Sequence, residues 1–462
     1  GASGDLDVGR RTIGNAPTFG TLDLGASTSV AISVDNLRIG TAISTGGFPP
    51  QPVQGALTLS QAGSNTIHAT TLVAGDSAWT DNTMATSTIH LGATNEVRAD
   101  SVTIGGRHSN AAADILAGGT CDLAGRSGAK ADLFIGENIT DSGGIAVGLF
   151  DLTGGELDAT LRELVLGRHG SGLGGGQGTL IVEDGDVTAD SIDMGWPHFT
   201  GLSLAPQNSV GTLTIRGGDF AVGGDVTTHS GLGVLNLHGG SLTVGGDIAT
   251  VASGPTGPGT MTITLDGGLL DLTGGSMDLG PASPPSFSFT GGTLKDVGGF
   301  DDTLNQGILV MGMPQGDGVL APGGSIGGTS IAGDYNLVSG SLEIEIQSPG
   351  STGGTDYDQV ELTAPASTAS LDGTLEVVLL GGYLPAYETT FDVVTANSVL
   401  LGPRFVLDES GAPMPAGRYF DASVAGLAGG QALRLTVLPE PATLALLALG
   451  ALVVIRRRKR NP

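Results

Sequence analysis

The sequence predicts an all-β protein: a right-handed parallel β-helix, a C-terminal β cap module, and one C-terminal transmembrane helix. Three observations predict it. Glycine supplies 81 of 462 residues, far above the usual ~7%. Apolar residues alternate with polar ones in short runs. A unit built around a Gly-Gly or Asp-Gly turn recurs along the chain. A glycine excess fits either low-complexity disorder or a turn-dense β protein. The 39% apolar content and the alternation select order. A collagen helix is excluded, because no strict Gly-X-Y period exists.

Residues 1–310 carry the repeats. Leu213-Thr-Ile-Arg-Gly-Gly-Asp-Phe-Ala-Val-Gly-Gly-Asp-Val226 and Leu235-Asn-Leu-His-Gly-Gly-Ser-Leu-Thr-Val-Gly-Gly-Asp-Ile248 align without a gap. Looser copies follow Phe150, Leu180, Ile263 and Phe287. Period-two alternation sends one row of Val, Leu and Ile inward. Strands of three to five residues are too short to stand alone, but stacked coil on coil they share one core. Glycine supplies positive φ at the corners, and the 4% aromatic content suits a narrow aliphatic core. An extended array of β-sandwiches, with Gly-Gly hairpin turns, is the competing architecture. Irregular stretches at 46–52, 170–176, 196–202 and 253–259 are expected to protrude as loops.

Residues 311–437 differ in character, with longer expected strands such as Gly340–Ile346 and a last one at Ala432–Leu438. The run Val319-Leu-Ala-Pro-Gly-Gly-Ser-Ile-Gly-Gly328 and the strands after it resemble the end of autotransporter-type passenger regions. That resemblance implies a module closing the open end of a β-helix. No outer-membrane barrel follows, so self-translocation is not implied.

Residues 438–462 combine Pro439-Glu440-Pro441, an uncharged apolar run from Ala442 to Ile455, and the cations Arg456, Arg457, Arg458, Lys459 and Arg460. As a helix the run would span about 21 Å at ~1.5 Å per residue, short for a ~30 Å hydrocarbon core. The basic cluster stays cytoplasmic, so the rest of the chain lies across the membrane. This order of parts resembles the PEP-CTERM sorting domain. The resemblance implies recognition and processing by an exosortase, a membrane-embedded cysteine protease, and transfer from an inner-membrane-anchored precursor to the cell surface or medium. The opening Gly1-Ala2-Ser3-Gly4 shows no signal peptide and is expected to be a processed or trimmed start.

The net charge is −27, and the basic tail makes the rest of the chain more acidic still. Such a body repels nucleic acid, so no nucleic-acid partner is expected. Cys121 stands alone and is expected to be a small buried residue.

Chemistry-bearing motifs are sparse, and neither catalytic residues, metal ligands nor cofactors are assigned. His68, His90, His108, His169, His198, His229 and His238 show no metal-ligand spacing, and each is expected on the surface or in a loop. Asp301-Asp302 and Asp356/Asp358 could supply the paired carboxylates of a glycoside hydrolase. Polysaccharide lyases of this fold need a basic residue, and the only lysines outside the tail are Lys130 and Lys295. Asp225 and Asp247 occupy equal positions in adjacent repeats. They could stack as a weak calcium site, with solvated turn aspartates as the favoured reading. Trp79, Trp196 and Phe199 are too few for an aromatic saccharide platform. The expected function is therefore a non-enzymatic surface or matrix protein, structural or adhesive, with exopolysaccharide as a candidate partner. A β-helix lyase or hydrolase and a carbohydrate-binding surface protein are the alternatives.

Overall fold

The computed structural model describes residues 4–12, 17–42, 52–78, 86–139, 144–170, 174–196, 209–251, 259–280, 287–300, 317–350, 352–414 and 417–440. The chain divides into two compact units, Gly1–Thr293 and Leu294–Pro462. Every named element among the described residues is a strand, and no helix among them is long and apolar enough to cross a membrane. The apolar run 442–455 and its basic tail lie outside the described residues.

In the first unit the chain visits three parallel ladders in turn. One complete cycle uses Val210–Ile215, Asp219–Val222 and Val226–Thr228; the next uses Leu232–Leu237, Ser241–Val244 and Ile248–Thr250. Each strand pairs in register with its counterpart in the next cycle: Val210↔Leu232, Asp219↔Ser241 and Val226↔Ile248. The two gapless repeats are thus stacked rungs, a pattern consistent with a β-solenoid. These parallel pairings do not fit antiparallel sandwiches. Alternation sends Leu213, Leu235 and Ile263 inward in one line, each fully buried. Burying each such side chain stabilises by about 1.5–3 kcal/mol.

Strand length departs from expectation. Ser64–Ser77 and Thr94–Arg107 are 14 residues each, because the chain stays extended through the bend from the second ladder to the third. The expected loop at 170–176 gives way at Gly175, where the strand Gly175–Val182 begins. The other expected loops lie largely outside the described residues.

Much of the glycine excess has a location. Gly9, Gly40, Gly75, Gly105, Gly136, Gly167 and Gly195 close the third ladder in successive rungs, all at positive φ between 53° and 76°. There the chain turns so sharply that a Cβ on Gly136 would strike the Gln177 carbonyl, and one on Gly148 the Gly136 amide. Only glycine meets both demands.

Buried polar groups complete the rungs. Asn95 Nδ2 donates to the Gly92 and Thr120 carbonyls (2.8 and 2.9 Å), and its Oδ1 accepts from the Gly92 amide (2.9 Å) and from Asn65 Nδ2 (2.9 Å). Cys121 follows Asn95 in the same inward column. It is buried, and desolvation pushes its thiol up to about 12.

Parallel ladders also build the second unit. One links Val319–Ala321, Ser341–Ile346, Thr374–Leu379 and Val406–Asp408. Another links Gly328–Ile331, Gln359–Leu362 and Thr390–Ala396, and a third Tyr335–Leu337, Thr368–Leu371 and Ser398–Leu401. The longer strands expected here are therefore mostly parallel rungs. Among the described residues, antiparallel strand pairing lies at the end, where Gly430–Pro439 lies between Thr390–Ala396 and Arg418–Leu427, apart from a single antiparallel bridge between Ile346 and Tyr357.

Candidate functional site

The segment with the strongest motif begins on this last strand. Leu433, Leu435 and Val437 point into the core, where Phe391 meets Tyr357 and Phe420 edge-on at 5.3 and 6.3 Å. Arg434 grips Asp392 with two bonds, 2.7 and 2.9 Å. The hairpin partner Arg418 lies over the Tyr387 ring at 4.5 Å and donates to the Pro385 carbonyl at 2.6 Å. Pairing continues to the strand's end: Arg418 opposes Pro439, and the Glu440 amide donates to the Gly417 carbonyl at 2.9 Å. Pro439 has no amide proton to offer, so the ladder closes on Glu440, whose side chain is exposed. Pro439 thus ends the strand at the rim of a packed sheet, and Glu440 follows it. Pro441 and Arg456, Arg457, Arg458, Lys459 and Arg460 lie outside the described residues.

A second cluster lies on the third ladder of the first unit. Opposite charges pair there from rung to rung, Asp76 with Arg107, Asp132 with Arg162 and Glu137 with Arg168, and Asp193 hydrogen-bonds His229 at 3.0 Å. Arg168 sits over the Phe134 ring at 4.8 Å and the Trp196 ring at 5.6 Å. Trp196 in turn stacks on His229 at 4.5 Å. Backbone bonds hold these residues in line, with the His169 amide donating to the Trp196 carbonyl at 2.7 Å and the Asn138 amide to the Arg168 carbonyl at 2.8 Å. Beside the stack is a half-open cavity of about 190 Å³ lined by Ile139, Arg168, His169, Gly170 and Trp196. Burial pushes the Glu137 carboxyl above the usual range, while the Arg168 charge pulls it down. The indole ring faces are occupied by Arg168 and His229, so Trp196 offers an edge rather than a stacking plate. Sequence reasoning missed this cluster, because coils of unequal length hide which residues share a column.

His108 and His169 are buried, not surface residues, since both fall on inward positions where the chain leaves the third ladder. His90 and His238 each face an aspartate one rung away, Asp114 at 2.9 Å and Asp266 at 2.7 Å. His68 is half-buried, and His198 lies outside the described residues, as do Trp79, Phe199, Asp301 and Asp302. Asp225 and Asp247 do stack, but their carboxylates are spent on backbone. Asp225 accepts the Asp247 amide at 2.9 Å, and Asp247 accepts the Ser276 amide at 2.7 Å. Each carboxylate caps the turn of the next rung, so the repulsion that would call for a cation is relieved by N–H groups. Asp356 and Asp358 likewise serve the backbone. Asp356 accepts from the Ser348 hydroxyl and the Thr352 amide. Asp358, buried, accepts the Gly327 amide at 2.7 Å and the Glu345 amide at 2.9 Å, and desolvation pushes it up to about 7. Lys130 pairs with Asp190.

On the second ladder Glu96, Asp122 and Asp158 align rung by rung, and Asp186 and Asp219 continue the line. Arg98 bridges Glu96 and Asp122 at 3.2 and 2.8 Å. Asp158 accepts the Asp186 amide at 3.1 Å, and Asp219 accepts the Ser241 hydroxyl at 2.6 Å. Among the described residues no three His, Cys, Asp or Glu side chains converge where a metal ion would sit.

Residues 437–460 match the PEP-CTERM protein-sorting motif. The match covers the end of the last strand, Pro439, Glu440 and most of the tail. It marks the chain for exosortase processing and export to the cell surface. Comparison with curated proteins finds no match to this chain.

Proposed function

We propose that this protein is a non-enzymatic structural or adhesive component of the cell surface or extracellular matrix. Its body would be a right-handed β-helix, and its C-terminal segment would hold an inner-membrane precursor until an exosortase processes it. The observation that carries this reading is the passage from a sheet-locked strand straight into the sorting motif. The body ends in an antiparallel hairpin that holds the strand before Pro439 on both sides. A protease working at the membrane surface would act beyond this paired strand. Prolines at 439 and 441 would disfavour helix at the sorting motif. Glu440 stays outside the membrane, because burying its charge is costly.

The organisation that supports this reading is a repeat body at 1–310, a closing module at 311–437 and a sorting segment at 438–462. The closing module fits the likeness to passenger-domain ends. Exopolysaccharide is the proposed environment and partner, met across an acidic surface. Two features argue against a glycan-cleaving enzyme. The charged row on the third ladder pairs its acids with Arg107, Arg162, Arg168 and His229, and the Asp356/Asp358 pair caps backbone amides. The test is the double variant Pro439→Ala with Pro441→Ala in an exosortase-positive host. Full-length precursor should accumulate in the inner membrane. Normal processing of the double variant would sink the extended-recognition account.

A further inference from the structure

The outward face of the first ladder in the first unit differs from the other two. Across the six strands from Asn110–Ile115 to Thr260–Asp271, two of its outward columns carry no charged residue. Val147, Val210 and Leu232 fall in one, and Leu149, Thr212 and Val234 in the next. These side chains are half-buried, interleaved with Thr, Asn and Gln. The second ladder presents its line of carboxylates and the third its rung-to-rung ion pairs.

We infer that this face is where two copies of the chain pack, sheet against sheet, about a two-fold axis. Charge favours a second copy. A chain of net charge −27 repels its own kind, and the cost of approach is least where the facing columns are uncharged. Shape favours it as well. Rows of Val, Leu and Thr about 4.8 Å apart form the kind of surface that packs on another sheet at ~10 Å. Six strands and the two uncharged columns give a strip of roughly 29 by 13 Å, or about 380 Å² per copy and about 750 Å² in all, the size of a weak, transient contact. The contact is therefore reversible rather than obligate. A flat saccharide is the less favoured occupant, because these columns hold no aromatic ring to stack on a sugar.

The test uses the full-length chain with Thr212→Cys and a short bis-maleimide. Cys121, 2% exposed, stays silent. A two-fold contact brings the central strands of the two faces together, so Thr212→Cys should give a cross-linked dimer at least tenfold above an Asp186→Cys control on the acidic ladder. Adding Val234→Lys should return the yield to the control level. Circular dichroism checks that the lysine chain keeps its sheet signal, and Leu232→Lys serves in its place if it does not. Cross-linking no better than the control overturns the inference. So does cross-linking indifferent to the lysine, or retention of wild type on a neutral glucan that competes with cross-linking.

Discussion

The coils of the first unit and the hairpin at the end of the second fix strand register by opposite means. In the coils each strand's partner lies one full cycle away, 22 residues in the tightest case, and the strands run parallel. Register there depends on what happens at every corner: glycines at positive φ, asparagines closing turns, and aspartates capping the next rung. In the hairpin Gly430 opposes Leu427 across a tight turn, and register follows from the turn itself. A defect at one coil corner is therefore expected to disturb the rungs on both sides, whereas a defect in the hairpin stays local. The arrangement suits a sorting segment, whose supporting strand takes its register from the adjoining strand and pairs with Thr390–Ala396 on its other side.

The largest expected effect is at a coil corner. Gly136→Val places a β-branched side chain at φ 69° and against the Gln177 carbonyl. The combined strain and overpacking should cost about 5 kcal/mol. Hydrogen exchange should report lost protection in the neighbouring rungs and unchanged protection at Gly430–Pro439. Equal loss at the hairpin would break the comparison.

Next comes a pH effect in the second unit. Burial raises the folded pKa of Asp358 from 3.8 to about 7. The protonated form is thus favoured by folding, and the stabilisation is fully present below about pH 4 and lost as pH rises through 7. At ~1.4 kcal/mol per unit this amounts to up to about 4 kcal/mol. Urea unfolding of Asp358→Asn should be flatter than wild type across that window. An unchanged pH slope would show that the two amide bonds, which favour the charged form, outweigh burial.

Asn95→Ala leaves the Gly92 amide and the Gly92 and Thr120 carbonyls without their buried partner and should cost about 2 kcal/mol. Thermal unfolding measures it. The smallest effect belongs to the hairpin. Arg434→Met keeps the stem and removes the Asp392 pair, which is partly exposed, so a loss of about 1 kcal/mol or less is expected.

The fold was legible where the physics is local. Alternation, Gly-Gly turns and the gapless alignment of Leu213–Val226 with Leu235–Ile248 reveal stacked β rungs. The sorting motif was legible because its three parts are contiguous. What depends on register was not. Nothing in the linear sequence places Arg168 between Phe134 and Trp196, or lines Glu96 up with Asp122 and Asp158, because coil lengths vary and a one-residue shift reverses every side chain. His108 and His169 were misplaced for the same reason. Asp358 looked like a catalytic candidate, since an aspartate that caps backbone and one that moves protons have the same letter.

The central claim is that the sheet-held strand delivers a processed segment. Intact mass of the mature protein from an exosortase-positive host tests it most directly. A mass lacking Arg456 to Pro462, with the C-terminus beyond Glu440, is the predicted result. A mature protein that still carries the whole basic tail would contradict the account and make the segment a simple anchor.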